Sequence, residues 1–271
     1  MSSPQPSLSW PTSPTPLRIA ELRPVVDRLT SLAHAHEREL AVIPGLATTD
    51  EEVAADPPPA LEQVTDELGG LSVRGRRELD LLVEERTDVG PYTLLGEPTS
   101  YYPLHEDEDV AVVLTVAEDG TPGAVYGIGE DLALHLAAPD LGAYLTRFAD
   151  ALEQALSELD DHIRRSWGEP SVEDETARDD ALEELLDLHL YRAILGTSED
   201  ADDVDADEVA IQDPQQAGLT ELPTGTLAVA DLRDAPRDAR VDVIDAELPG
   251  DPLDWHLAWR EAGLVVCLVG G

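Results

Sequence analysis

Residues 111–137 read AVVLTVAEDGTPGAVYGIGEDLALHLA, and this stretch decides the fold. With Val110 in front, Val110, Val112, Leu114 and Val116 alternate with Ala111, Val113, Thr115 and Ala117. That period of two is a strand, and apolar residues on both sides predict an interior strand covered on both faces. Asp119–Gly120, inside AEDGTPG, is the strongest hairpin signal in the chain. Ala124–Ile128 returns as a second strand and Leu132–Leu136 supplies a third. Asp140 then stands as an N-cap. Behind it Leu141, Tyr144, Leu145, Phe148, Leu152 and Ile163 form one stripe at helical spacing, predicting a long helix to about Trp167. The centre is therefore an antiparallel meander followed by a helix that covers it.

Working outward to the N-terminus, residues 1–17 are rich in Pro, Ser and Thr and read as a disordered arm carrying Trp10. Leu22, Val25, Val26, Leu29, Leu32 and Leu40 predict a helix from about Leu17 to Val42, ended by IPGL. ALEQVTDELGG predicts a short helix capped at Gly69. A further helix is expected over Ser72–Arg86, with Leu79, Leu82 and Val83 inward. Arg74, Arg76 and Arg77 would lie near its start, the unfavourable end for cations, so acidic neighbours should offset them.

Towards the C-terminus, GEPSVEDE at 168–175 breaks the chain. An amphipathic helix follows, with Leu182, Leu185, Leu186, His189, Leu190 and Ile194 on one face. The acid-rich segment after it repels itself and reads as a loop. Strands are expected at Thr226–Asp231, Arg240–Ala246, His256–Arg260 and Leu264–Val269, the first and last of them central. The fold class is α+β: an antiparallel sheet flanked by amphipathic helices, with a strand-rich C-terminal extension. The organisation is an arm (1–17), an α+β domain (18–167) and a region of helix, acidic loop and strands (168–271).

Composition limits the function. Of 271 residues, 42% are apolar, a globular proportion. Asp and Glu number 58 against 17 basic residues, all of them Arg, for a formal charge of −41. Such a surface repels phosphates and lacks the cations that neutralise them, so nucleic acid is excluded as a ligand. It steers basic macromolecules instead. Cys267 is the single cysteine, so no intramolecular disulfide forms, and its apolar neighbours make it a structural thiol. The start has no positively charged flank or apolar core of a signal peptide. No run reaches the roughly 18 apolar residues of a spanning helix. A cytoplasmic protein without membrane contact is expected.

Motifs for chemistry are missing. His34 and His36 are two apart and do not share a helix face, unlike the paired His of a zinc-binding H-E-x-x-H. His105, beside Glu106, Asp107, Glu108 and Asp109, reads as a solvated turn histidine with a raised pKa. The acids from Asp200 to Glu208 lack the Gly and Glu positions of a calcium loop. No phosphate loop and no nucleophile elbow is present. No enzyme, metal site or cofactor is expected. Tyr92, Tyr101 and Tyr102 lie in a Pro- and Gly-rich stretch next to acids. Tyrosines there either anchor a polar interface or pack on the domain's own sheet. The partner-binding candidates are Tyr101 and Tyr102 with Glu106, Asp107, Glu108 and Asp109, and Asp202, Asp203 and Asp205.

One family shares this order. PPPALEQVTDELGG, YYPLHEDEDVAVVLTVAEDGTPGAVYGIG and LALHLAAPDLGAYLTRFADAL resemble the early helix, central strands and closing helix of the SMI1/KNR4-type domain (SUKH superfamily), over residues 20–160. In the closing helix, Leu141, Tyr144 and Leu145 match the family's aromatic phrase. The chain departs from it in having no Trp after Pro44–Gly45 and LSVRGRRELDLL where an aromatic motif belongs. The resemblance implies a non-enzymatic intracellular binding module, of a kind that includes immunity proteins neutralising toxins, often basic nucleases. Two alternatives stand beside it: an acidic structural or scaffold protein of a GC-rich or salt-adapted bacterium, and a nucleic-acid mimic.

Overall fold

The computed structural model describes residues 9–10, 16–48, 57–83, 92, 94–96, 99–107, 110–168, 174–196, 208–219, 221–244, 248–250 and 254–270. At its centre is a meander of β4 (Tyr101–Glu106), β5 (Val110–Val116), β6 (Pro122–Gly129) and β7 (Leu134–Ala138), antiparallel throughout. A two-residue strand, β9 (Arg240–Val241), adds to the β7 edge, completing the order β4-β5-β6-β7-β9. Every residue of β5 is buried, as expected for a strand covered on both faces.

The alternation sorts side chains into two cores. Tyr102, Leu104, Val112, Leu114 and Val116 join one. Tyr101, Ala111, Val113, Tyr126 and Ile128 join the other. The first core is closed by α3 (Leu141–Ser166), whose Asp140 cap accepts a 2.8 Å hydrogen bond from the Ala143 amide. It is completed by α1 (Ile19–Ala35) and α4 (Glu175–Leu186). Trp10 of the arm is buried there, 6.3 Å from the Tyr102 ring. The second core is closed by a three-stranded sheet of order β10-β11-β8, from β8 (Thr226–Asp231), β10 (Trp255–Arg260) and β11 (Val265–Gly270). Trp259 stacks on Tyr126 at 5.4 Å, and the Tyr126 hydroxyl donates to the Gly263 carbonyl at 2.7 Å. The C-terminal strands thus form a second layer on the first sheet. Of the two strands expected to be central, β11 is central and β8 lies at its side.

The N-terminal third departs from the helical reading. α1 ends at Ala35, and Leu40–Pro44 is strand β1. The expected helix at Ser72–Arg86 is a hairpin of β2 (Leu68–Val73) and β3 (Arg76–Asp80), and Gly69 is a strand residue rather than a cap. Only a 3₁₀ turn (Pro59–Leu61) and α2 (Glu62–Thr65) remain of the short helix. The hairpin turns on Arg74–Gly75, both at positive φ (50° and 88°), as a primed two-residue turn requires. β1, β2 and β3 form a third antiparallel sheet. It meets the meander where the Tyr102 hydroxyl donates to the Leu81 carbonyl at 2.8 Å.

The expected acidic offset of the arginines is present, supplied by α4. Arg74 pairs with Glu175 and Asp179, and Arg76 with Glu183. Arg178 reaches back from α4 to buried Glu39 at 2.7 Å and to Asp160 of α3 at 2.8 Å. No helix among the described residues is long and apolar enough to cross a membrane.

Candidate acidic interface

Past Leu186 the last helix widens into a π turn, Asp187–Tyr191, before closing as α5 (Arg192–Leu195). This stretch crosses the ends of β5 and β6. Gly127 of β6 lets it approach, since a Cβ there would overlap Ile194 Cγ2. Two clefts open on either side of the crossing and share Val110, Asp187 and Tyr191. One, of about 380 Å³, is lined by Gly129, Glu130, Asp131, His135, Arg192 and Leu195 besides the shared wall. The other, of about 360 Å³, adds Arg76, Glu78, Asp107, Asp180, Glu183, Glu184 and Leu186. Together they present eight carboxylates and two guanidinium groups.

Beneath the crossing lies a buried polar cluster. The Tyr191 hydroxyl donates to the Glu78 carboxylate at 2.8 Å. The His105 ring stacks on Tyr191 at 4.4 Å and 16°. Its Nδ1 sits 3.1 Å from the Glu78 carbonyl oxygen and 3.6 Å from Glu78 Oε2. A carbonyl only accepts, so Nδ1 carries the proton and Nε2, which has no partner, is bare. Burial pushes the His105 pKa down, against the pull of Glu78 and Asp107 upward. This corrects the expectation of a solvated histidine with a raised pKa: the acids follow His105 in sequence, while its side chain points inward from β4. Burial also holds Tyr191 protonated far above the ordinary phenol range. Largely buried, Glu78, His105 and Tyr191 pin the π turn to β3 and β4.

Of the residues expected to meet a partner, Tyr101 and Tyr102 are 1% and 2% exposed. Consecutive strand residues face opposite ways, so each ring fills one core, and Tyr101 stacks on buried Tyr92 at 5.4 Å. The exposed-anchor expectation is thereby corrected in favour of packing on the chain's own sheet. Glu106 and Asp107 are exposed, Asp107 at the second cleft. Glu108, Asp109, Asp202, Asp203 and Asp205 lie outside the described residues.

Sequence reasoning missed two exposed apolar side chains. Trp167, at the end of α3, is 40% exposed, and Leu188, on the π turn, is 46% exposed. His162 lies 6.0 Å from the Trp167 ring and 2.8 Å from Glu184 Oε2, and Glu184 lines the second cleft. The signal available was the length of the α3 pattern, which ends on a Trp outside the apolar stripe. Among the described residues, no group of three or more His, Cys, Asp or Glu is arranged to hold a metal ion. Compared with known proteins, the chain matches no family model, no curated protein and no solved structure.

Proposed function

We propose that the chain is a non-enzymatic protein-binding module that meets a basic protein partner through exposed Trp167 and Leu188 and the acid-lined clefts. The carrying observation is that two large apolar side chains stand exposed on the helices that border the clefts, whose carboxylates far exceed their counter-charges. A protein interface is built this way: an apolar anchor gives affinity and a charged rim gives encounter rate and selectivity. The resemblance of residues 20–160 to SMI1/KNR4-type domains supports a partner of the toxin class, and the charge of −41 fits a basic nuclease.

The test is a binding measurement against the product of the gene adjacent to the chain's own. A complex is expected whose association slows about tenfold or more as salt rises from about 50 to about 500 mM. Trp167→Ala and Leu188→Asp should each weaken it by about tenfold or more without unfolding the chain. No complex, or one indifferent to salt and to both substitutions, overturns the reading.

A further inference from the structure

His105 is ill placed to take up a proton. Its Nδ1 already donates to the Glu78 carbonyl, so a second proton goes to Nε2, which is buried and has no acceptor among the described residues. Tyr191 covers the ring, stacked on it at 4.4 Å. Each neighbouring element brings titratable groups. β3 contributes Arg76 and Glu78, with Glu78 Oε2 3.6 Å from Nδ1, and Asp107 follows β4. The π turn contributes Tyr191, and Tyr144 of α3, kept protonated by burial, acts on it. Glu78 and Asp107 favour the imidazolium, Arg76 and burial oppose it, and burial prevails. An Nε2–H here is a buried donor without a partner, beside a carboxylate that already accepts from the Tyr191 hydroxyl.

Two elements enclose the ring, and they are held unequally. β4 is hydrogen-bonded to β5 within a five-stranded sheet. The π turn has an irregular ladder, and α5 beyond it is four residues long and stops at Gly196 in left-handed conformation. The hold on this segment is the burial of Leu190, Tyr191 and Ile194, with Tyr191 bonded to Glu78 and His189 3.3 Å from Glu158 of α3. Lifting it uncovers His105 and lets water accept from Nε2–H, whereas moving β4 breaks the sheet. Segments held in this way open locally at less cost than the whole fold.

We propose that His105 is a proton-operated latch on the π turn: proton uptake at Nε2 releases residues 187–195 from β3 and β4 as a unit, while α3 and the sheets stay folded. The hold is complete above about pH 6.5, the ordinary imidazole value, and is lost as pH falls below it. Because Asp187 and Tyr191 belong to the wall that the two clefts share, mild acid dismantles both clefts at once. The latch requires no partner, so its failure leaves the reading of the clefts as a binding surface standing.

The experiment is amide hydrogen exchange of the full chain at about pH 7.5 and about pH 5, each rate expressed relative to that of an unstructured amide, with the His105 ring followed by nitrogen-15 resonances. Between those values the amides of residues 187–195 are expected to lose about tenfold or more of their protection, in step with the His105 ring. Their exchange should be nearly indifferent to low urea, as a local opening is, while that of α3 around Leu152 rises with urea, as global unfolding does. His105→Phe keeps an aromatic ring against Tyr191 and takes no proton, so it should hold the protection of residues 187–195 constant with pH. Protection that does not change with pH, exchange of 187–195 and α3 as one urea-sensitive unit, or a loss that persists in His105→Phe overturns the proposal. A loss abolished by His135→Phe instead overturns it in favour of the other buried histidine. Should His105→Phe not fold, the wild-type chain decides: a His105 ring that titrates at a pH different from the loss of protection overturns the latch, and coincidence of the two upholds it.

Discussion

The two faces of the central sheet are covered by different materials, and their chemistry differs accordingly. The face under β8, β10 and β11 is filled by Trp259, Tyr126, Val113, Val266 and Leu268, and Cys267 is buried at the back of the covering sheet. The face under α1, α3 and α4 is equally apolar at its middle, around Phe148 and Leu152. At its margin, however, it buries Glu78, His105, Glu39 and Arg178. A covering sheet pairs its own backbone and leaves few gaps. Helices laid across strand ends leave wedges, and here the wedges are filled by hydrogen-bonded polar groups and open as clefts. The surface fit for recognition lies on the helical side for that reason.

The largest test of this contrast truncates both cores. Phe148→Ala and Trp259→Ala should each cost about 3–5 kcal/mol by urea denaturation. Because the sheet separates them, their costs in the double variant should add within about 0.5 kcal/mol. Strong non-additivity would mean that the two faces are one coupled core. Next in size is the polar margin. Arg178→Met leaves Glu39 buried without its cation and should cost about 3 kcal/mol, whereas Arg178→Lys should restore part of it.

A smaller effect separates the faces by pH. Burial depresses the pKa of both His105 and His135 in the fold. Their unfolded values lie near about 6.5. The unfolded chain therefore binds protons first as pH falls, so this contribution is complete above about 6.5 and is lost as pH drops towards the folded values. Stability measured between pH 7.5 and 5, values of roughly one unit either side of that pKa, should decline. His105→Gln should flatten the slope, and a slope unchanged by it would remove His105 from the account. The smallest effect belongs to the sheet-covered face. Burial raises the Cys267 thiol to about 11, so thiol reagents at neutral pH should label it only at the rate of unfolding.

Much of the architecture was legible. The meander, the Asp119–Gly120 turn, the Asp140 cap and the long α3 follow from alternation, turn chemistry and capping. The hairpin at 68–80 escaped because its turn uses Arg74 before Gly75, where Asn or Asp would have signalled it. Its Leu79, Leu82 and Val83 also satisfy a helical period. The burial of Tyr101 and His105 depends on which way a strand faces, and neighbouring acids conceal that. The clefts were not legible, because their walls come from β3, the β5 and β6 ends, β7 and the π turn. Only the excess of acid announced them.

The π turn at Asp187–Tyr191 gives the last helix one residue more than a regular α-helical path would need. Removing a single residue there, Leu188 for instance, would let the coil close as a regular α-helix, with all that follows kept in phase. Tyr191 would keep its place beside Glu78, and Ile194 its notch above Gly127. A one-codon deletion would thus leave the core standing and reshape only the wall that the two clefts share, so that wall owes its form to an irregularity one residue long.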